Sequence, residues 1–200
     1  SFRENKFAYA EGNFFQLFSF NILEGDHNAL QKPNTVAISA TTAKKYFGEE
    51  NALGKVITLN NQFGKTLYTV SIIFEDMPEN SDFQYDLLFS IQTLANKANL
   101  NGNEMWASLD GLNSRWLGCY LLLQPNQNST VVEKKLSAIL RQVNPENPET
   151  IRLQPFAHQH LATSLGDRFP TTGSLGFIYL LSGIAILILV IGWFNYINLS

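Results

Sequence analysis

All 31 charged side chains of this 200-residue chain, 14 basic and 17 acidic, lie between Arg3 and Arg168. The last 32 residues, from Phe169 to Ser200, carry none. No water-soluble body tolerates a tract of that length without a charge on any face unless the tract is buried or sits in lipid. Between Ile178 and Ile191, ten of fourteen residues are Leu, Ile or Val. At the usual insertion values these ten favour the bilayer by about 3 to 6 kcal/mol, which Ser182, Gly183 and Tyr179 partly offset. A helix from Leu175 to Tyr196 has 22 residues and a length of about 33 Å, enough to cross a hydrocarbon layer ~30 Å thick. Phe177 and Tyr179 fall near one end; Trp193, Phe194 and Tyr196 fall near the other, as interfacial aromatics do. The competing reading is a buried core helix.

The division expected is therefore a charged body over residues 1–170 and a transmembrane helix over 175–198. A plain cytosolic enzyme domain is excluded. So is a disordered chain, because aromatic residues make up 12% of the sequence. The net charge of −3 and the lack of a basic cluster argue against nucleic acid as a partner. Lys44 with Lys45, and Lys134 with Lys135, read as solvated helix faces. A single cysteine, Cys119, forms no intrachain disulfide. The chain begins at Ser1 without a signal segment and stops at the apolar run, so it reads as an excerpt of a longer protein.

Along the body, strands are expected at Lys6–Glu11 and Thr35–Ser39, and a hairpin at Lys55–Asn60 with Thr66–Phe74. Further strands are expected at Asp86–Ser90, Leu117–Gln124 and Ile151–Phe156. Asn13 is placed to cap a short aromatic helix, Glu24-Gly25-Asp26 to form a turn, and Ser39 to cap a helix that ends at Gly48. Asn99 to Ser114 reads as loop. Thr130 and Glu133 have the spacing of a capping box. Behind them Val132, Leu136, Ile139, Leu140 and Val143 form one apolar stripe expected to face a core. The order of elements favours a mixed α+β body.

Catalytic and ligand motifs fail on chemistry. Gly48 to Val56 has one residue too many between its glycines for a phosphate loop, and Val56 cannot hold magnesium. Cap and turn are the better roles for Gly48 and Gly54. His158 and His160 would share one side of an extended segment, with Asp167 as a third ligand, but the pattern falls short of a metal site. The acidic run Glu75, Asp76, Glu79, Asp82 and Asp86 lacks the spacing of a calcium loop. No catalytic, cofactor-binding or metal residue is assigned, and no cofactor is expected.

Three runs of the body, residues 13–26, 34–59 and 68–90, resemble the MacB-like periplasmic core domain of MacB/FtsX-type ABC transporter permeases. The most specific parts are Ala43, Lys45, Tyr46, Phe47 and Gly48 with Ala52 to Lys55, the Pro78 to Ser81 turn, and the closing Asn195 to Ser200. The run from Tyr179 to Ser200 resembles the second transmembrane helix of those permeases. The resemblance implies a permease subunit in the inner membrane with its body on the periplasmic side. It implies a separate or fused ATPase as partner, a permease dimer, and room for a periplasmic or outer-membrane partner. It also implies one span before Ser1, two after Ser200, and no catalysis by this chain itself. The alternatives are a membrane-tethered binding or sensor domain, and a membrane-anchored enzyme using His158, His160 and Asp167.

Overall fold

A computed structural model describes residues 2–111, 116–146, 149–157 and 175–199. The chain forms two compact units, Ser1–Asn126 and Gln127–Ser200. The first is a mixed α+β unit. Its strands among the described residues are β1 (Phe7–Ala10), β2 (Ile22–Gly25), β3 (Thr35–Ser39), β4 (Val56–Asn61), β5 (Gly64–Phe74) and β6 (Leu87–Ser90). They make one sheet in the order β1-β6-β3-β5-β2, with β4 paired to β5. β1 runs parallel to β6 and β3 parallel to β5; the other pairings are antiparallel. Its α-helices among the described residues are α1 (Phe14–Phe18), α2 (Ala40–Phe47) and the single turn α3 (Glu104–Ala107).

Alternation of side chains assigns each strand to two cores, one on each face. Ala8, Ala10, Ala37, Leu88, Ile72 and Phe74 pack with Phe15 of α1 and with Leu30. Phe7, Tyr9, Val36, Ile38, Leu87 and Phe89 face the other way, onto Ala43, Tyr46 and Phe47 of α2. β5 changes parity between these faces. Tyr68 and Val70 point to α2, yet Ile72 does not, because the register with β3 jumps from Val36↔Val70 to Ala37↔Ile72. Ser71 is the extra residue of a bulge, and one inserted residue turns the rest of the strand over.

That bulge explains a strand the sequence disguises. Glu24-Gly25-Asp26 reads as a turn, but Ile22–Gly25 is β2, paired to Ile72–Phe74. Gly25 is there because its φ is +109° and because a Cβ would collide with the Ser71 carbonyl oxygen. At α2 the local signals are obeyed. The Ser39 hydroxyl accepts from the Thr42 N–H at 3.2 Å, and Gly48 closes the helix with φ +62°. α1 starts after Asn13 as expected, although the Asn13 side chain makes no capping bond.

Leu117–Gln124 is not a strand: it has no ladder partner among the described residues. Its apolar composition favours an extended chain, but a strand exists only once paired. Tyr120 instead docks edge-on against Phe18 and Phe83 with centroids 5.1 and 5.7 Å away, while Leu122 is 82% exposed. The segment expected to be loop between Asn99 and Ser114 contains α3, and Phe63, Leu94, Leu100 and Ala107 form a small third core beside it.

In the second unit α4 spans Ser129–Val143. Asn128, not Thr130, is its cap, accepting from the Thr130 N–H at 2.9 Å. Glu133 is thereby free of the capping role and accepts from the Leu153 N–H at 2.7 Å, while Ser137 Oγ accepts from the Ile151 N–H at 2.9 Å. These two bonds hold Ile151–Leu153 extended beside α4 by side-chain acceptors, so Ile151–Phe156 is not the ladder-forming strand expected. The apolar stripe of α4 is not core either. Val132, Leu136 and Leu140 are half-buried, and Ile139 and Val143 are each 57% exposed. The last helix, α5, covers Leu175–Leu199.

Candidate functional site

None of the catalytic patterns weighed in the sequence is assembled among the described residues. No cluster of three His, Cys, Asp or Glu stands ready for a metal there. His158, His160 and Asp167 lie outside the described residues. The acidic run dissolves into separate structural tasks. The Asp76 carboxylate accepts from the Thr41 N–H and hydroxyl at 3.3 and 2.8 Å, at the start of α2, where negative charge is favoured. Glu75 accepts from the Asn21 amide at 3.2 Å. Gly48 and Gly54 have φ of +62° and +76°, as cap and turn require.

Two features carry functional weight. The first is a cluster that ties the beginning of the chain to α2. Glu4 Oε1 accepts from Lys45 Nζ at 2.6 Å and from the Tyr46 hydroxyl at 2.9 Å. The Phe2 ring stacks on Tyr46 with centroids 4.7 Å apart, and the Lys45 ammonium lies 5.4 Å from the Phe2 ring centre. Lys45 is therefore no solvated bystander: it is the cationic centre of this cluster, whereas Lys44 reaches out to Glu49 at 3.4 Å with its side chain 75% exposed. The hydrogen bond from Lys45 holds the Glu4 carboxyl below its usual range, with a smaller contribution from Tyr46. Burial, and then the bond to Glu4, push the Tyr46 phenol up.

The direction for Glu4 fixes the sign of a pH effect. A carboxyl with a depressed folded-state pKa adds stability at pH above its unfolded value, near 4.5, and loses it as the pH falls through the folded value. Melting temperatures are thus expected to fall between pH 6 and pH 3, with a smaller fall for Glu4→Gln. Parallel falls in the two proteins would show that the cluster does not contribute.

The second feature is α5. Within it, Gly176–Asn198 is 23 residues long and apolar enough to cross a membrane, and none of that window is buried inside the protein. A core helix would be covered by its own protein, and no residue of this window is covered by the described residues. Ile186, Leu187, Ile188 and Leu189 expose 59 to 72% of their surface on all sides of the helix. Such a surface is compatible with lipid or with other apolar helices and is costly in water.

Residues 3–139 match the family model of the MacB-like periplasmic core domain, well over half the chain. Among solved structures the chain is similar to a domain of a protein described as a permease from Porphyromonas gingivalis. The identity is 24%, the coverage 74% of this chain and 67% of that one, and the TM-score 0.49. It is also similar to the periplasmic region of MacB from Actinobacillus actinomycetemcomitans, at 20% identity and a TM-score of 0.41. That match covers 66% of this chain and 54% of the other, so the chain spans about half the length of that region. No curated protein matches the chain. On the family match from residue 3 to residue 139, the chain belongs to the MacB-like periplasmic core domain family.

Proposed function

We propose that this chain is part of the permease subunit of an ABC transporter in the inner membrane, with its body on the periplasmic side. In this reading residues 1–170 form the extracytoplasmic domain and residues 175–198 cross the bilayer. ATP is hydrolysed by a separate or fused ATPase, and the permease acts as a dimer. α5 carries the resulting motion to the body, which does export or mechanical work without catalysing a reaction itself. The observation that carries the reading is the coincidence of two things in one chain: a periplasmic-domain family match and an uncharged, uncovered 23-residue helix behind it.

Cys119, the one cysteine of the chain and exposed in the structure, provides a direct test. A membrane-impermeant maleimide is expected to label it in intact cells with a permeabilised outer membrane. Labelling only after lysis would place the body in the cytoplasm and sink the proposal. Membranes solubilised mildly and purified through this chain should also carry vanadate-sensitive ATPase activity. A labelled body with no ATPase activity would favour the membrane-tethered sensor instead.

A further inference from the structure

The core on the α2 face of the sheet is not fully closed. A groove of about 670 Å³ opens into it, within the range of about 300 to 1,000 Å³ common for binding sites. Its walls include Phe7 of β1, Leu87 and Phe89 of β6, Ile57 and Leu59 of β4, and Tyr46 of α2. The alternation of β4 matches this: Ile57 and Leu59 are half-buried, whereas Val56, Thr58 and Asn60 are exposed. The Asn61 amide donates to the Tyr9 hydroxyl at 3.3 Å, so the end of β4 reaches across to β1.

Both strands that flank the groove are edges. Among the described residues β1 pairs only with β6, and β4 pairs only with β5. Each therefore keeps a row of main-chain N–H and C=O groups without a ladder partner. This decides the chemistry of the occupant. An acyl chain would cover the apolar walls and leave those groups unpaired, while an extended polypeptide covers the walls with alternate side chains and pairs the edge with its backbone. The six residues of β4 offer an edge of roughly 20 Å at about 3.4 Å per residue. Charge narrows the choice further. Of the two charged residues lining the mouth, Glu4 is already bonded to Lys45, whereas Arg3 is exposed and has no carboxylate partner among the described residues.

We propose that this groove docks an extended, apolar polypeptide segment bearing an acidic residue, which adds as a strand to the free edge of β4. The proposal is independent of the transport reading, because binding is measured without an ATPase. The full chain is reconstituted in phosphatidylcholine nanodiscs, with empty nanodiscs as the blank. The probe is the fluorescein-labelled peptide Glu-Thr-Val-Thr-Val-Thr-Val, followed by anisotropy. Saturable binding is expected. Proline in place of the central valine removes a ladder donor and should weaken it at least about tenfold. Arg3→Glu, a surface change that leaves the walls intact, should weaken it by roughly fivefold, and a lysine-headed peptide should then bind better than the original. Leu59→Asp should abolish it; if that variant fails to fold, the Arg3→Glu pair of measurements decides. Equal binding of the proline peptide, no saturable binding, or unchanged charge preference in Arg3→Glu would overturn the proposal. So would displacement of the peptide by lauric acid, which would assign the groove to an acyl chain. Self-association of the chain that excludes the peptide would assign it to a second copy.

Discussion

Phe89→Ala is expected to lower the stability of the first unit by about 3 to 5 kcal/mol, the usual cost of deleting a buried phenylalanine ring. Phe89 is 1% exposed and lies in β6, between β1 and β3. Its ring meets Tyr68 at 4.6 Å, Tyr9 at 5.9 Å and Phe7 at 6.0 Å between centroids, so three other strand residues lose a partner at once. Tyr68, itself 1% exposed, has little freedom to fill the hole. Domains of this kind are held by about 5 to 15 kcal/mol in total, so the loss is a large fraction. Urea denaturation of the full chain, followed by tryptophan fluorescence, should show a lower midpoint with an unchanged slope. Val56→Ala, on the exposed face of β4 with the side chain 56% accessible, should stay within about 0.5 kcal/mol of the parent. A Phe89→Ala midpoint equal to that of Val56→Ala would mean that the α2-side core is not the one described.

The same residues show what can be read from a sequence of this kind. β3 is legible to the residue, and the β4–β5 hairpin to within two, because alternation, turn residues and caps are local signals that the tertiary structure leaves in place. The charge-free tract announces α5 for the same reason: a long aliphatic run carries its helical signal in its own residues. β2 escapes because its Gly25 answers to Ser71, a residue far along the chain that bulges out of β5. Leu117–Gln124 and Ile151–Phe156 look like strands because strand propensity describes a residue's fit to a sheet, not the existence of a partner. Glu133 has the spacing of a capping box, but the amide it accepts is that of Leu153. Nor is the groove visible in advance. Arg3, Phe7, Tyr46, Ile57 and Phe89 come from separate segments, and only the sheet order brings them to one opening.

Leu187→Arg is expected to have the largest effect on where the chain resides. Leu187 is the midpoint of the Gly176–Asn198 window and is 59% exposed. From there either end of the window is eleven residues away, about 16 Å along the axis at 1.5 Å per residue. Such a distance strains the reach of an arginine that must snorkel to water. Placing a guanidinium at the centre costs about 2.5 to 3.5 kcal/mol, and losing the leucine costs about 0.3 to 0.6 kcal/mol more. The sum rivals the gain of about 3 to 6 kcal/mol that the ten aliphatic residues of Ile178–Ile191 supply together. At 1.4 kcal/mol per factor of ten, integration should fall by roughly a hundredfold or more. Alkaline carbonate extraction reads this directly: the parent should stay in the membrane pellet and Leu187→Arg should move to the supernatant. Asn195→Arg tests the depth dependence. It sits three residues from the end of the window, where a long cation reaches the interface, and should remain in the pellet. If Leu187→Arg also stayed in the pellet, the helix would be held by a protein surface or a water-lined cavity and not by lipid. If both variants were extracted, α5 would lie along the interface, and the transmembrane reading of this chain would be wrong.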